Sequence, residues 1–459
     1  MGQRLKERTT GTAMRKTRPT LIAAVLLAAA TGGAMAQNAG DDRYPASTGT
    51  IPPVAAGTQP GAQEWTGESG ASGHPLMTAA AIRAAAANFR GCIEHLWPAA
   101  ARRGVSRSVF QTYTASLTPD LRIMDLLDNQ PEFTKSFWDY LDILVTDERI
   151  RMGRELLEKY RANFDAVEKA YGVDRYTVTA IWGVETNYGA IGGDRPVIRS
   201  TATLACVGRR QNYFREEFLS TLEILQRGDV KADRLVGSWA GAFGPTQFMP
   251  TAFKRYAVDF DHDGRRDVVD SVPDIIASTA NNLRKDGWVA GQTWGYEVVM
   301  PATFNFMLAD HARMMPIRDW ERYGITRPGG KPFARADDRA FLLVPAGVQG
   351  PGFLMLPNFL AIMKYNPAEA YALAIGHLAD RLRGGAPFVQ NWPRYEHVLS
   401  RTERLELQQL LARNGYDVGE PDGQFGAKTR AAIRDFQAKI GQVPDGFASA
   451  VVLARLRAR

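Results

Sequence analysis

The chain has 459 residues, 45% of them hydrophobic and 23% charged, and is long enough to bury a sizeable core. Its formal net charge of +7 comes mostly from residues 1–36, which hold six Lys or Arg residues and one acid, so that +2 remains on the rest. A charge this small argues against nucleic acid as a partner. Cys92 and Cys206 can pair in an oxidising compartment, but two free buried thiols stay open as the alternative.

Residues 1–36 have the layout of a secretory signal peptide. A basic start is followed by an apolar run at residues 21–30 and by Ala-Met-Ala at 34–36, an A-x-A cleavage site. The apolar run is too short to span a membrane, although an uncleaved anchor remains the alternative. We expect a soluble periplasmic protein after cleavage.

The remaining sequence divides into two linkers and two domains. Residues 37–76 are rich in Gly, Ala, Ser, Thr and Pro, which predicts a flexible linker. Helical periodicity then recurs in three segments: 82–89, 133–144 and 147–160. Strand-like alternation is scarce before residues 340–344. Residues 77–392 are therefore predicted to form one mainly α domain, and a second linker is predicted at 384–393.

The last sixty residues predict a module of three short helices. One apolar helical face carries four leucines and ends at Asn414-Gly415, and a second carries Ala432, Ile433 and Phe436. The elements DGxFG, AIxxFQ and PDG of this module match the peptidoglycan-binding domain attached to many cell-wall hydrolases, which residues 400–459 resemble. A small helical cap without a ligand is the alternative.

A twelve-residue segment, the acidic loop (259–270), has the spacing of an EF-hand calcium loop. Its positions 1, 3, 5, 9 and 12 are acids: Asp259, Asp261, Asp263, Asp267 and Asp270. Gly264 at position 6 supplies the sharp turn, and the carbonyl of Arg265 falls at position 7. Five carboxylates this close repel one another unless a cation lies among them, so the spacing predicts a calcium site.

Glu185 is the first candidate for catalysis. A predicted helix that Gly189 ends has one apolar face with the spacing i, i+3, i+4, i+7, formed by Val178, Ile181, Trp182 and Glu185. Burial of a carboxyl near the C-terminal end of a helix raises its pKa, which suits a general acid. A structural buried glutamate is the alternative.

A second candidate segment, the site loop (238–250), reads S-W-A-G-A-F-G-P-T-Q-F-M-P. It combines glycines with aromatic residues, and Ser238 and Gln247 are able to hydrogen-bond the hydroxyl and acetamido groups of a sugar. The composition is typical of the wall of a sugar-binding groove, and a tight packing loop is the alternative.

These segments together resemble one family. The motif G-V-E-T-N-Y-G at 183–189, the site loop, the acidic loop and Tyr365-Asn366 occur in this order in lytic murein transglycosylases of the B family. The resemblance covers roughly residues 80–395. It implies a lysozyme-like helical core, and cleavage of the β-1,4 bond between N-acetylmuramic acid and N-acetylglucosamine without water. In that reaction the muramyl 6-hydroxyl closes on the anomeric carbon and leaves a 1,6-anhydro end.

The resemblance assigns Glu185 as the single acid/base, and it assigns substrate contacts to six residues: Ser238, Gln247, Tyr365, Asn366, Arg209 and Arg210. Ser238 is expected to hold the acetamido group that assists the reaction, an exception to the two-carboxylate scheme. The arginine pair is expected to meet a peptide-stem or lactyl carboxylate, with an ordinary solvated pair as the alternative. The expected partners are peptidoglycan glycan strands. Complexes of cell-wall synthesis or secretion stay open, and we expect a monomer.

The resemblance also implies calcium as a structural ion, with no cofactor for catalysis. The expected ligands are Asp259, Asp261, Asp263, the carbonyl of Arg265 and Asp270. Position 12 is aspartate where a typical sensor loop has glutamate, so bidentate binding is in doubt and sodium can compete. A second departure is Asn281-Asn282 in place of an aromatic groove residue. Its stacking contact to the sugar is either missing or supplied by Trp288 or Tyr296, which leaves the assignment of the subsites open.

Three other functions are alternatives for a chain with these segments. A lysozyme-type hydrolase would use the same glutamate but release products with water added. A noncatalytic peptidoglycan-binding scaffold would retain the fold, although the intact motif around Glu185 argues against it. A calcium sensor is disfavoured because the chain has one such loop and sensors usually pair two.

Overall fold

Helices dominate the computed structural model, which describes Trp65, Gly67 and residues 74–127 and 135–459. The predicted signal peptide, and most of the predicted linker at 37–76, lie outside the described residues. All described residues belong to one unit that extends from residue 45 to residue 459. The expected mainly α fold is confirmed for the part of the chain that the structure describes. Within that part, no helix has the length and apolar character needed to cross a bilayer.

The described residues form nineteen α-helices. In chain order they are α1 (Ala79–Ala87), α2 (Phe89–His95), α3 (Trp97–Arg102), α4 (Arg107–Thr114), α5 (Ile123–Leu127), α6 (Phe137–Leu144), α7 (Asp147–Lys159), α8 (Arg161–Tyr171), α9 (Arg175–Thr186), α10 (Val197–Cys206), α11 (Gln211–Arg227), α12 (Pro250–Tyr256), α13 (Val272–Lys285), α14 (Ile317–Arg322), α15 (Pro357–Tyr365), α16 (Glu369–Leu382), α17 (Arg401–Arg413), α18 (Ala427–Lys439) and α19 (Ala450–Arg457).

Helix α9 lies at the centre of the main core. Every residue from position 177 to position 186 is buried, and the helix packs against α7, α13 and α16. A helix buried on all sides is typical of the middle of a large domain. The carboxylate of Asp174 caps its start by accepting from the N–H of Tyr176 at 3.3 Å.

The end of α9 corrects one prediction. The helix ends at Thr186, where Asn187 takes the left-handed conformation with φ 49°, and not at Gly189. Asparagine tolerates this conformation better than most residues do, so it serves as the C-terminal cap. Glu185 still lies in the last turn, as the sequence predicts.

Two small sheets accompany the helices. Strands β1 (Arg195–Pro196) and β2 (Val236–Gly237) pair antiparallel. The second sheet has the order β3-β6-β5-β4, with all neighbours antiparallel. Its strands are β3 (Gly295–Val298), β4 (Met315–Pro316), β5 (Arg339–Leu343) and β6 (Gly352–Met355). The predicted strand at 340–344 is β5.

Side chains of the larger sheet alternate between two cores. Phe341 and Phe353 face the main helical core, whereas Leu342 and Leu354 pack with Trp320 of α14. This alternation is the two-residue period of a strand with both faces covered. The sheet therefore joins α14 to the helices that surround Glu185.

A disulfide joins Cys92 in α2 to Cys206 at the end of α10. The two cysteines are separated by 114 positions, and residues of both helices share a core with α11. The pairing that the sequence left open is thus formed. It ties the N-terminal helices to the part of the chain that leads into the site loop.

The C-terminal module has the predicted three helices, α17, α18 and α19, around a core of its own. It contacts the larger domain through paired charges, because Arg430 donates to both carboxylate oxygens of Glu369 at 2.6 Å. The predicted linker at 384–393 is exposed over residues 384–387 and contacts the larger domain further along. Trp392 stacks on Phe353, and the N–H of Gln390 donates to Glu297.

Candidate active site

Glu185 is fully buried and held by a tyrosine from another helix. The hydroxyl of Tyr371, in α16, donates to Oε1 of Glu185 at 2.7 Å. Burial raises the pKa of the Tyr371 phenol well above its ordinary value, and the charge of Glu185 raises it further. The phenol is therefore kept as a proton donor, and it fixes the orientation of the carboxyl.

A second phenol lies near the same carboxyl. Tyr365, at the end of α15, is half-buried, and burial of its phenol followed by the charge of Glu185 raises its pKa well above the ordinary value. Its hydroxyl donates to the carbonyl of Thr246 in the site loop. Glu185 thus lies in an apolar setting with two protonated phenols beside it, which resembles the setting of a carboxyl that acts as an acid.

The site loop is anchored to the end of α9. The hydroxyl of Thr186, next to Glu185, donates to the carbonyl of Pro245 at 2.6 Å. The hydroxyl of Thr279, in α13, donates to Oγ1 of Thr246 at 3.0 Å. Together with the bond from Tyr365, these contacts hold the loop against the helix that carries the glutamate.

The site loop and the acidic loop are in direct contact. Gly244 has φ 75°, and a Cβ there would lie 2.4 Å from the carbonyl oxygen of Val268. Only glycine fits this approach. Val268 is fully buried in a cluster with Phe243 and Phe248 of the site loop. The position of the site loop therefore depends on the fold of the acidic loop.

The two polar residues predicted from the site loop lie on it as expected but already bond within the protein. Ser238 Oγ accepts from the N–H of Ala242 at 3.1 Å, and the serine hydroxyl still carries its own proton for donation. Gln247 has φ 53°, and its side-chain amide donates to the carbonyl of Gly244 at 2.9 Å. Asn366 is fully buried, and its side chain accepts from the N–H of Ala368 at the start of α16.

The two residues of the arginine pair, Arg209 and Arg210, contact different parts of the domain. Nη2 of Arg209 donates to the carbonyl of Leu127 at 3.0 Å. The guanidinium of Arg210 lies over the ring of Tyr213, 5.0 Å from its centroid, and 5.9 Å from that of Phe214. Stacking on aromatic rings is typical of arginine, and it accounts for the position of Arg210.

Three of the predicted metal ligands come together. Carboxylate oxygens of Asp259, Asp261 and Asp263 lie within 4.8 Å of one another. The N–H of Gly264, which has φ 90°, donates to Asp259 at 3.0 Å. Hard oxygen donors at this separation suit a calcium ion.

Asp270, the predicted ligand at position 12, pairs with an arginine outside the acidic loop. Asp270 pairs with Arg234, whose Nε donates to Oδ2 at 3.1 Å, and this pairing lowers the pKa of Asp270. The loop is closed instead by Asp274, a buried residue that accepts from the N–H groups of Phe260 and Asp267 at 2.7 and 2.8 Å. The structure thus assembles part of the predicted ligand set.

The second departure from the family pattern, at residues 281–282, has a structural role. Asn281 is buried in α13, and its amide donates to the carbonyl of Tyr256 at 2.7 Å. Two aromatic residues were expected as sources of the stacking contact to the sugar. Of these, Trp288 packs against the main core. Tyr296 packs edge-on against Phe333, with ring centroids 5.3 Å apart.

Backbone strain is concentrated in the segments selected from the sequence. Among the described residues, the non-glycine residues with positive φ are Asn187, Tyr188, Arg210, Gln247 and His262. Asn187 and Tyr188 follow Glu185, and Arg210 follows Arg209. Gln247 is in the site loop, and His262 is in the acidic loop. Such conformations persist only where the surroundings enforce them, and they cluster at functional sites.

A protein-family model described as Transglycosylase SLT domain matches residues 88–380. The chain belongs to this family. A second model, described as Putative peptidoglycan binding domain, matches residues 400–456. The chain is accordingly a lytic transglycosylase that acts on peptidoglycan, and the expected lysozyme-like fold is confirmed.

Known relatives agree with this membership. The chain is 30% identical over 276 residues to membrane-bound lytic murein transglycosylase B of Escherichia coli strain K12, covering 56% of this chain and 73% of that protein. SltB3 from Pseudomonas aeruginosa, solved with NAG-anhNAM-pentapeptide, shares 44% identity with a TM-score of 0.78, over 80% of this chain and 99% of that one. Escherichia coli SLT35, solved with calcium, shares 27% identity with a TM-score of 0.56, over 64% and 92%.

Sequence reasoning missed the residues that position the glutamate. Tyr371 lies 186 positions from Glu185 and inside an apolar helix, where a tyrosine is an ordinary core residue. Thr186 and Thr279 likewise lie within helices and reach the site loop through their hydroxyls. No local spacing identifies such residues, because their partners are set by the packing of helices α9, α13 and α16.

Proposed function

We propose that this transglycosylase cleaves the β-1,4 bond between N-acetylmuramic acid and N-acetylglucosamine, with Glu185 as its only acid/base. The observation that carries the proposal is the buried Glu185 carboxyl, fixed by Tyr371 beneath a loop with sugar-binding composition. Glu185 is also the only acidic residue in the three segments around it: 175–193, 238–250 and 357–368. A second carboxylate for direct nucleophilic attack is thus missing from these segments, which favours assistance by the substrate.

The proposed reaction has two steps. Glu185, as the acid, gives its proton to the glycosidic oxygen while the C1–O4 bond breaks, and the acetamido oxygen of the muramyl residue bonds to C1. The 6-hydroxyl oxygen of the same sugar then attacks C1, the bond from the acetamido oxygen breaks, and the hydroxyl proton returns to Glu185. No water is consumed, and the acid is restored. The Ser238 hydroxyl is the group proposed to hold the acetamido during these steps.

The proposed roles of the other residues follow from their contacts. Tyr365 and Gln247 shape the site loop and would contact the sugars at its surface, whereas Asn366 acts by starting helix α16. Because Glu185 is fully buried, a sugar reaches it only when the site loop or the turn at Asn187 moves aside. The C-terminal module would bind the wall, and the signal-like segment 1–36 supports a periplasmic location.

The test of this proposal is digestion of purified sacculi. A 1,6-anhydro end has no free hemiacetal, so we expect soluble muropeptides that resist borohydride reduction. Products that are fully reducible would support a lysozyme-type hydrolase. Sacculi that bind the protein but release no products would support a noncatalytic scaffold.

Replacement of Tyr371 by phenylalanine should slow cleavage while leaving the fold intact. The variant loses only the hydrogen bond to Glu185, and such bonds to an ionisable group are worth about 1.5–3 kcal/mol, or roughly 10- to 100-fold in rate. The measurement is the rate of muropeptide release, beside the melting temperature. Tyr256→Phe is the matched control, because its phenol bonds the carboxylate of Asp286 at 2.9 Å away from the site. Equal rates for the two variants would exclude a positioning role for Tyr371.

We also propose that the acidic loop binds calcium as a structural ion. Asp259, Asp261 and Asp263 would supply the first ligands, with the carbonyl of Arg265, and Asp270 would have to leave Arg234 to join them. The contact between Val268 and Gly244 means that an ordered acidic loop supports the site loop. Sodium would compete weakly for the same oxygens.

Calcium should therefore raise the melting temperature. At free calcium 100-fold above its dissociation constant the gain is about 2.7 kcal/mol. Differential scanning calorimetry with calcium and with a chelator measures it. The double variant Asp259→Asn, Asp261→Asn should lose the shift, and Asp233→Asn, an exposed acid outside the loop, should keep it. We expect the cleavage rate well below the melting temperature to be the same with and without calcium. An unshifted melting temperature at millimolar calcium would refute the proposed site.

A further inference from the structure

A polar cavity of about 150 Å³ lies beside the start of helix α10. Three arginines and two acids are among the residues that line it, so its formal charge is positive. The lining residues used below are Asp120, Arg122, Asp194, Arg195, Arg199 and Ser200. None of them belongs to the sites described above.

The arginines of this cavity differ in how far they are paired. Arg122 donates to both oxygens of Asp120 at 2.7 Å, and this lowers the pKa of the Asp120 carboxyl. Arg199 donates to the carbonyl of Thr118 at 2.9 Å. The Nε of Arg195 lies 3.5 Å from Asp120 and has no hydrogen-bond partner among the described residues. Arg195 is therefore the cation with most capacity left for another anion.

Ser200 adds a buried donor to the same cavity. The residue is 1% exposed, and its Oγ has no hydrogen-bond partner among the described residues. A buried hydroxyl without a partner is costly, and it is often explained by a ligand. Ser200 also lies in the first turn of the ten-residue helix α10, where backbone N–H groups lack intrahelical acceptors and the helix dipole favours negative charge.

The cavity borders the wall of the proposed active site. Strand β1, which contains Arg195, pairs with Val236 and Gly237, immediately before Ser238. The side-chain amide of Gln247 also approaches the carbonyl of Gly192 at 3.4 Å. A ligand held next to Ser238 would therefore have the cavity beside it.

We propose that this cavity binds a carboxylate of the peptide stem that the muramyl residue of the substrate carries. The inference rests on the proposed function, since the lactyl carboxyl of a stem-bearing strand is held in an amide bond and the stem supplies the negative charge. Arg195 and Arg199 would pair with the carboxylate, and Ser200 would donate to it. The cavity thus selects stem-bearing strands.

The test compares two soluble ligands, NAG-NAM-pentapeptide and NAG-NAM whose lactyl carboxyl is capped as an amide, on the full chain carrying Glu185→Gln. The quantity measured by calorimetric titration is the ratio of the two affinities. In that background, we expect Arg195→Gln and Arg199→Gln each to lower the ratio about 10-fold. Ser200→Ala, which removes one oxygen and spares the fold, should lower it about 3-fold. Arg161→Gln, at an exposed ion pair with Glu158, is the control and should keep the parent ratio.

Several results would overturn the proposal. These are a parent ratio near one, cavity variants that keep the parent ratio, or a fall in the ratio produced instead by Arg209→Gln and Arg210→Gln. Failure of the proposed function is a separate observation, because it requires that the unsubstituted chain release no anhydro products from sacculi. The binding ratio does not depend on cleavage.

Discussion

Replacement of Glu185 by glutamine should reduce the release of muropeptides from sacculi by at least about 10³-fold. General acid–base catalysis by one group is worth roughly 10²- to 10⁴-fold, and here the same side chain is proposed to give and to take the proton. Glutamine has nearly the same shape and can still accept from Tyr371, so the fold should persist. The measurement is the initial rate of release, with the melting temperature recorded for both proteins.

The matched control for Glu185 is Glu217, the other fully buried glutamate among the domain's described residues. Glu217 accepts from the N–H and the hydroxyl of Thr251 at 2.9 and 2.7 Å, and burial raises its pKa. Glu217→Gln should lower the melting temperature, because it weakens the two hydrogen bonds from Thr251. It should keep the cleavage rate within a few-fold. Co-sedimentation with sacculi should be retained in both variants. A Glu185→Gln protein that cleaves like the parent would remove Glu185 from the reaction.

Loss of the disulfide should produce the largest change in stability. The bond closes a segment of 114 positions, and the chain-entropy relation for a loop of that length gives a stabilisation of about 4.8 kcal/mol, mainly by restricting the unfolded chain. The double variant Cys92→Ser, Cys206→Ser should therefore melt at least about 6 °C lower than the parent. Differential scanning calorimetry measures the difference.

The reduced parent protein serves as the comparison for this variant. A thiol reductant should lower the melting temperature of the parent by a similar amount and leave that of the double variant unchanged. Cleavage at 25 °C should remain within a few-fold, since the bond joins α2 to the far end of α10, away from the first turn that lines the cavity. Equal melting temperatures for parent and double variant would show that the bond adds nothing to stability.

The sequence predicted the element that carries the chemistry better than the contacts that complete it. Apolar spacing placed Glu185 in the last turn of a buried helix, because helix periodicity is a local property. The helix end was misplaced at Gly189, since Asn187 takes the left-handed conformation that glycine usually adopts. Tyr371 was missed because an apolar helix with a tyrosine has the same pattern whether the phenol is structural or functional.

In the acidic loop, too, the sequence predicted the local arrangement but not the long-range contact. The spacing of its acids predicted the grouping of Asp259, Asp261 and Asp263, which are neighbours along one turn. It did not predict that Asp270 pairs with Arg234, because that arginine lies 36 positions upstream and only the tertiary fold brings it near. The cysteine pair was left open for the same reason, since sequence gives no distance between α2 and α10.

Glu185 is proposed to direct cleavage of glycan strands by internal attack of the muramyl 6-hydroxyl. Mass spectrometry of the muropeptides released from sacculi by the unsubstituted chain tests it most directly. We expect disaccharide peptides lighter by one water than the products of a lysozyme digest of the same sacculi, and their absence when Glu185→Gln is used. Products with the mass of the hydrolysed species would contradict it.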